Sequence, residues 1–457
     1  MVRQIPIPLI LVFLVEVAVA IGVYLAILRL WMGREAAARR LIAGQALFLA
    51  VFFGALTIYL ANGKRHLQVD TQPAIFGAMS FVRHGWFDLT PFERNVEPLR
   101  DSVLLTGADG LTYTIYPPGS TLACVPFALP IAHLGRLTNL DLDFASKRMG
   151  AVTAALSVAF LFAALRRLSL TPAAVWISTI AYAFGTTLFS TASQDAWQHG
   201  PAMLGLTIAL YGIARTYPHE VRSAWIVGAG LGWACLARPT PLATGALVAL
   251  YLLARDRRRF LYLLLGALPF GIFWCGYAWR VYGSPLVTGY GVTGKHTFVP
   301  GFWRNLWLTF FHESRGIFVY SPFLFAGLAG FAYLIAAIRR EAPNDEPLST
   351  VLIYSLSAFP IAAYAAAIGQ FWSGWSYGYR TCSECAALLM PPFAIVVDRI
   401  WPNRYGKIIL ILLVAAAIGI HALEWAFPND IWNAREDLRT TPQILLHLAY
   451  ARNRLGL

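Results

Sequence analysis

Residues 223–260 read SAWIVGAGLGWACLARPTPLATGALVALYLLARDRRRF. Two apolar runs, 223–237 and 240–254, flank the tetrapeptide Ala237-Arg238-Pro239-Thr240, and the second ends in the cluster Arg255-Asp256-Arg257-Arg258-Arg259. Runs of this kind read as consecutive helical spans of a lipid bilayer. The basic cluster then marks the cytoplasmic side, because short cytoplasmic connections collect Lys and Arg. Arg238 falls on the opposite, outer side, near the ends of two spans. A desolvated Arg needs a partner, either a loop carboxylate or a lipid headgroup, and its planar fork also matches phosphate.

The rest of the chain agrees with this reading. Of 457 residues, 58% are hydrophobic and 13% are charged, and mean hydropathy is +0.58. Soluble domains carry about 25% charged residues, and half that density does not cover a water-soluble surface of this size. A disordered chain, a collagen-like chain and a disulfide scaffold are excluded on the same grounds. The apolar runs are long and continuous, unlike the alternating strands of an outer-membrane barrel. The formal charge of +13 sits in short clusters between apolar runs, which is the positive-inside pattern and not a nucleic-acid footprint. Five cysteines are too few and scattered for a disulfide framework, and Cys124, Cys235 and Cys275 read as packing residues.

Apolar runs at 5–31, 42–62, 148–166, 172–190, 200–215, 223–237, 240–254, 261–281, 316–338, 351–369, 383–400 and 407–424 give an all-α polytopic protein of about twelve spans, both termini outside. Arg166-Arg167, Arg215 with Arg222, Arg339-Arg340, and Arg399 with Arg404 and Lys407 then share the cytoplasmic side with the 255–259 cluster. Ala18-Val19-Ala20 resembles a cleavage site, yet the first run continues to Trp31 and reads as a span; Glu16 lies within it. No solenoid period and no mirrored pattern of broken segments is visible. The expected organisation is an additional helix at 1–40, a main transmembrane region at 41–338 containing a long outer loop 64–147, further helices at 339–424, and an outer tail at 425–457. The outer loop carries an amphipathic stretch, 73–85, and a Pro-rich apolar stretch, 117–134, which reads as surface-lying or re-entrant.

Polar residues concentrate in the outer connections 64–147, 191–199, 282–315, 370–382 and the tail after 425. Long connections tend to carry function. Asp70, in Val69-Asp70-Thr71-Gln72-Pro73, reads from the bare sequence first as an N-cap for the 73–85 helix, and it also suits a general base above the membrane. Tyr113-Thr114-Ile115-Tyr116-Pro117-Pro118-Gly119 forms a rigid turn. Arg238, Lys295-His296, Arg315 and Arg380 are outer-side cations. Phe371-Trp372-Ser373-Gly374-Trp375-Ser376-Tyr377-Gly378-Tyr379-Arg380, followed by Glu384, is either an interfacial aromatic belt or a surface for sugar rings. Cys382 and Cys385 form a lone C-x-x-C without a second ligand pair.

Taken in order, these segments resemble the C-type (GT-C) membrane glycosyltransferases that use polyprenyl-phosphate sugars, such as protein O-mannosyltransferases and lipid A aminoarabinose transferases. The ordered set is Asp70, Tyr116-Pro117-Pro118-Gly119, Trp197-Gln198-His199-Gly200-Pro201, Ala237-Arg238-Pro239-Thr240, Ser314-Arg315-Gly316 with Tyr320-Ser321-Pro322, and Gly374–Arg380. The chain departs from the family in having Asp70-Thr71 where an Asp-Glu pair is common, and Gly378-Tyr379-Arg380 where Gly-Pro-Arg is frequent. The 5–31 run also stands ahead of the usual first helix, and the second, metal-binding acid of oligosaccharyltransferase-like members is not evident. The resemblance implies an inverting transfer of sugar to an acceptor hydroxyl on a glycan, lipid or protein, at the outer face of an inner or plasma membrane. It implies Asp70 as base, Arg238, Arg315, Arg380 and Lys295 at the donor phosphate, and Tyr116, His199, Glu384, His296 and Trp372 at the sugar or acceptor. No cofactor is implied beyond the lipid-linked sugar donor as substrate, and a divalent metal is not evident, the single acid leaving open whether a metal or a second carboxylate helps. The alternative is a multi-pass lipid or solute transporter or flippase.

Overall fold

The computed structural model describes residues 36–63, 68–96, 98, 103–134, 138–216, 220–340, 346–372, 374, 376–428 and 442–455. The leading run 5–31, with Glu16, lies outside them. The described chain is mostly helical, with one antiparallel hairpin. Its main helices are α1 Ala36–Leu60, α2 Gln72–His84, α3 Pro118–Ala132, α4 Asn139–Arg167, α5 Pro172–Phe184, α6 His199–Thr216, α7 Ala224–Ala237, α8 Leu242–Arg255, α9 Arg257–Tyr282, α10 Phe302–Phe311, α11 Phe323–Arg340, α12 Glu346–Leu356, α13 Ala358–Ala367, α14 Ser383–Ile400, α15 Arg404–Ala426 and α16 Gln443–Leu455. Among the described residues, five helical stretches are long and apolar enough to cross a membrane: 139–167, 257–282, 348–367, 380–400 and 404–426. Six shorter apolar helices accompany them.

Local chemistry sets several boundaries. α4 starts nine residues before the apolar run 148–166 because Thr138 and Asp141 close a reciprocal capping box. In the basic cluster, Asp256 caps α9 by accepting from the Arg258 and Arg259 amides. The run 172–190 stays helical only to Phe184, and a wide turn at Leu188–Ala192 follows. The run 316–338 is broken: a single turn, Ile317–Tyr320, stops at Ser321, and α11 starts after Pro322. Ser321 Oγ is engaged by Gly185 O at 2.6 Å and Tyr379 Oη at 2.7 Å, which holds the break. The run 351–369 is likewise divided at Ser357, whose hydroxyl bonds Tyr354 O and Thr244 Oγ1.

The largest core joins α1, α4, α5, α6, α7, α11 and α14. The outward faces of α8, α9 and α15 remain apolar, with Leu250, Ile272 and Leu412 exposed, as suits contact with lipid. A second, smaller core lies over α2, α3 and the hairpin of β1 Leu104–Thr106 and β2 Thr112–Thr114, paired in the register Leu105↔Tyr113. The 73–85 stretch is thus the buried helix α2, and 117–134 is the continuous helix α3, which packs against α2 and touches α4 and α7. α10 turns Trp303 and Trp307 outward while Asn305 anchors its other face to Ala366 O at the end of α13.

Candidate functional site

Between the small core and the bundle lies a cavity of about 240 Å³. Its walls come from segments far apart in sequence. The turn before α2 contributes Asp70, the turn before α3 contributes Tyr116, the connection before α6 contributes Trp197 and Gln198, and α6 itself opens with His199. Arg238 arrives from the end of α7, Tyr290, Lys295 and His296 from the connection after α9, Tyr364 from α13, and Gln370, Arg380 and Thr381 from the segment before α14. The Tyr-Pro-Pro-Gly turn reaches this place because Gly119 has no side chain: a Cβ there would stand 2.4 Å from Ala237 N. That close approach sets Tyr116 and Arg238 on the same cavity.

Two ion pairs dominate the electrostatics. Arg238 Nη1 donates to both oxygens of Glu384 at 2.7 Å and to His199 Nδ1 at 2.9 Å. Glu384 is 0% exposed and does not line the cavity; it backs Arg238 from within α14. The second pair links Arg380 Nη1 to Asp70 Oδ2 at 3.0 Å, across 310 residues of sequence. The Arg380 guanidinium carbon also sits over the Trp197 ring, 4.2 Å from its centroid. Asp70 does not cap α2. Thr71 occupies the cap position without a side-chain cap bond, and the Asp70 carboxylate turns to Arg380 instead.

Behind Asp70 stands an acid that the motif order does not single out. Asp195 is buried and accepts hydrogen bonds from Ser146 Oγ, the Ala196 amide, the Gln68 amide at 2.9 Å and Thr71 Oγ1 at 2.8 Å. Burial pushes its carboxyl above the usual aspartate value, against the pull of those donors. Two of its donors flank Asp70, so the turn carrying Asp70 is tied down on both sides. The sequence signal was available: Asp195 is the sole acid in the outer connection 191–199. Beside it, Lys147 bonds Asn62 and Gln194, and Asn62 bonds Gln194, closing a polar seam between α1, α4 and this connection.

The remaining walls are aromatic. Tyr290 and His296 stack with centroids 4.0 Å apart, and Tyr290 Oη accepts from Gln198 at 2.9 Å. His296 meets Tyr364 Oη at 2.8 Å. Burial, reinforced by the Arg238 charge, lowers the His296 pKa to about 4. Burial and the nearby Asp70 carboxylate push the Tyr116 phenol well above its ordinary value, so it stays a neutral hydroxyl. Arg315 and Trp372 form a separate pair, with the guanidinium 4.9 Å above the indole and Arg315 1% exposed. They sit outside the lining. Burial lowers the Arg315 pKa to about 10. Cys382 and Cys385 are buried and free. Among the described residues, no three His, Cys, Asp or Glu side chains gather as a metal-ligand group.

The structure therefore brings Asp70, Tyr116, His199, Arg238, Lys295, His296 and Arg380 to one cavity and leaves Glu384, Arg315 and Trp372 behind it or to its side. A lone accessible carboxylate beside several cations, walled by aromatic rings, can take a proton from a hydroxyl and receive an anion.

No protein-family model matches this sequence, and no curated protein sequence matches it. Among solved structures, ArnT from Cupriavidus metallidurans in the apo state superposes with a TM-score of 0.52 at 16% identity, over 92% of this chain and 71% of that one. The same protein bound to undecaprenyl phosphate gives a TM-score of 0.50 at 17% identity over the same shares. The archaeal oligosaccharyltransferase AglB from Archaeoglobus fulgidus, in complex with an inhibitory peptide and a dolichol-phosphate, gives 0.51 at 12% identity. That match covers 84% of this chain and 57% of AglB, so the chain spans little more than half of that protein. The likeness is one of fold: the chain has the GT-C fold of integral-membrane glycosyltransferases.

Proposed function

We propose that this protein is a polyprenyl-phosphate-dependent glycosyltransferase that moves a sugar to an acceptor hydroxyl. The observation that carries the reading is the meeting of Asp70 with Arg380, Arg238 and Lys295 in one cavity of a GT-C fold. ArnT and AglB were captured with undecaprenyl phosphate and dolichol-phosphate respectively, and a lipid-linked donor of the same kind suits a cavity lined by these cations.

Asp70 takes the proton of the acceptor hydroxyl as its oxygen attacks the anomeric carbon. The bond from that carbon to the phosphate oxygen breaks, and its electron pair leaves with the polyprenyl phosphate. A single displacement inverts the anomeric centre. The leaving group is already a stable anion, so it needs no general acid, only positive charge set in place beforehand. Arg380, Arg238 and Lys295 supply that charge, with Arg315 extending the cationic side. Glu384 and His199 fix Arg238. Tyr116 and His296 face the sugar or the acceptor, and Trp372 holds Arg315. The mechanism assigned to these residues calls on no metal ion or cofactor.

The proposed setting is a protein of about twelve spans with both termini outside. The loop 64–147 and the catalytic surface then face the periplasm or cell exterior of an inner or plasma membrane. The region 41–338 supplies most of the site, and 339–424 adds Tyr364, Arg380 and Thr381. Glycan, lipid or protein hydroxyls are the acceptor class. The deciding assay is release of radiolabelled sugar from polyprenyl-phosphate donors by the purified protein, with and without acceptors. Wild-type turnover that disappears in Asp70→Asn, with donor binding retained, is the expected result. Full turnover in Asp70→Asn removes the base assignment. Absence of any transfer, alongside transport of the lipid or a solute, replaces the enzyme by a transporter.

A further inference from the structure

The last helix, α16, touches the site segments through two buried side chains, Gln443 and His447. Gln443 is 3% exposed and stands at the first residue of α16. Its Oε1 accepts from Tyr320 Oη at 2.8 Å and from the Gly378 amide at 3.1 Å. Its Nε2 donates to Ser376 O at 3.2 Å, and its backbone amide donates to Ser314 Oγ at 3.1 Å. The Gly378 amide can only donate and the Ser376 carbonyl only accept, so the amide orientation of Gln443 is fixed by its neighbours. α16 is itself held: His447 bonds Gln443 O through Nδ1 and Glu424 through Nε2 at 2.8 Å, and its ring packs on Tyr377.

The three segments joined at Gln443 are the ones that carry Arg315, the Tyr320-Ser321 break and Arg380. Gly378, two residues before Arg380, holds a left-handed φ of +69°, and a Cβ there would stand 2.9 Å from the Tyr320 ring. This tight turn lies two residues before Arg380, whose Nη1 reaches Asp70 Oδ2 at 3.0 Å. We propose that Gln443 is a positioning residue: through paired bonds to Ser376 and Gly378 it sets the backbone from which Arg380 reaches the donor phosphate. The affinity side of this inference rests on the glycosyltransferase reading; the mechanical side does not.

Gln443→Met keeps the volume and deletes all three side-chain hydrogen bonds, and Tyr320→Phe is the gentler second variant should Gln443→Met fold poorly. The first measurement is hydrogen–deuterium exchange on the full-length, ligand-free protein. Peptides covering 376–382 exchange faster in Gln443→Met, while peptides from α4 and α6 are unchanged. The second is binding of undecaprenyl phosphate, followed by tryptophan fluorescence. Affinity falls about tenfold, the scale of one displaced charge-assisted contact, and the loss vanishes when Arg380→Ala is already present. Unchanged exchange at 376–382 overturns the inference. So does faster exchange with full affinity, or an equal loss of affinity in the Arg380→Ala background, because the contact is then merely structural. If wild-type protein binds no polyprenyl phosphate, the donor reading falls, and the exchange result alone decides whether Gln443 sets this backbone.

Discussion

Arg238 and Arg380 reach the same cavity, yet their carboxylates differ in place. Glu384, the partner of Arg238, is fully buried in α14, with His199 closing the other side. Asp70, the partner of Arg380, has a side chain 31% exposed and sits at the mouth of a turn. The first pair is part of the wall: desolvation of its members is already met, and removing one strands the other. The second is an ion pair that water and ligand can reach, and its Coulomb energy is correspondingly weaker. On the proposed mechanism an incoming phosphate would compete with Asp70 for Arg380 and free the carboxylate for its proton. The contrast separates a charge pair built into the wall from one that a ligand can reach.

Four experiments bear on that contrast. Asp70→Asn should cost the most, roughly a hundred- to ten-thousand-fold in turnover, the usual range for a general base, with donor affinity nearly intact. A loss confined to affinity would make Asp70 part of the wall after all. Glu384→Ala should instead destabilise the fold by about 3–5 kcal/mol, seen in thermal unfolding, because it leaves Arg238 buried without its carboxylate. Equal melting temperatures for Glu384→Ala and wild type would erase the distinction. Arg380→Ala should weaken binding of the lipid donor by about tenfold to a hundredfold while changing stability little. Unchanged affinity would shift the phosphate role to Arg238 and Lys295.

The smallest effect concerns pH. The His296 pKa is lowered to about 4, below its unfolded value near 6.5, so the unfolded chain binds more protons between these limits. Stability therefore rises with pH from about 4 to about 6.5 and then no longer depends on this group. In His296→Gln that part of the slope should be missing from denaturation curves taken across the window. An unaltered slope would mean that the stack with Tyr290 leaves His296 as free to protonate as in water.

Much of this site could be read without coordinates. Arg238 and Arg380 interrupt apolar or aromatic sequence, and the ordered motifs singled out both of them and Asp70, which the structure brings to one cavity. Asp195, Gln443 and Tyr290 were harder, since each owes its importance to partners at long range and none lies at a conspicuous spacing. The fold was legible where hydrophobicity alone decides it, as in α4, α9 and α15. It was less legible where one hydroxyl bonds the backbone: Ser321 and Ser357 each divide an apolar run that composition reads as unbroken. The N-cap expectation for Asp70 failed because a capping bond to an amide competed with a charged guanidinium, and the guanidinium won.

The outward tryptophans of α10 bear on where the cavity floats. Trp303 and Trp307 stand 78% and 63% exposed on the helix that Asn305 moors to the end of α13, a few residues from Tyr364 in the cavity wall. Indole rings settle at the headgroup stratum of a bilayer. They would act as a waterline mark on a helix moored next to the cavity wall. If the proposed donor holds, a lipid phosphate in that stratum would meet Arg380 without lifting its hydrocarbon tail into water.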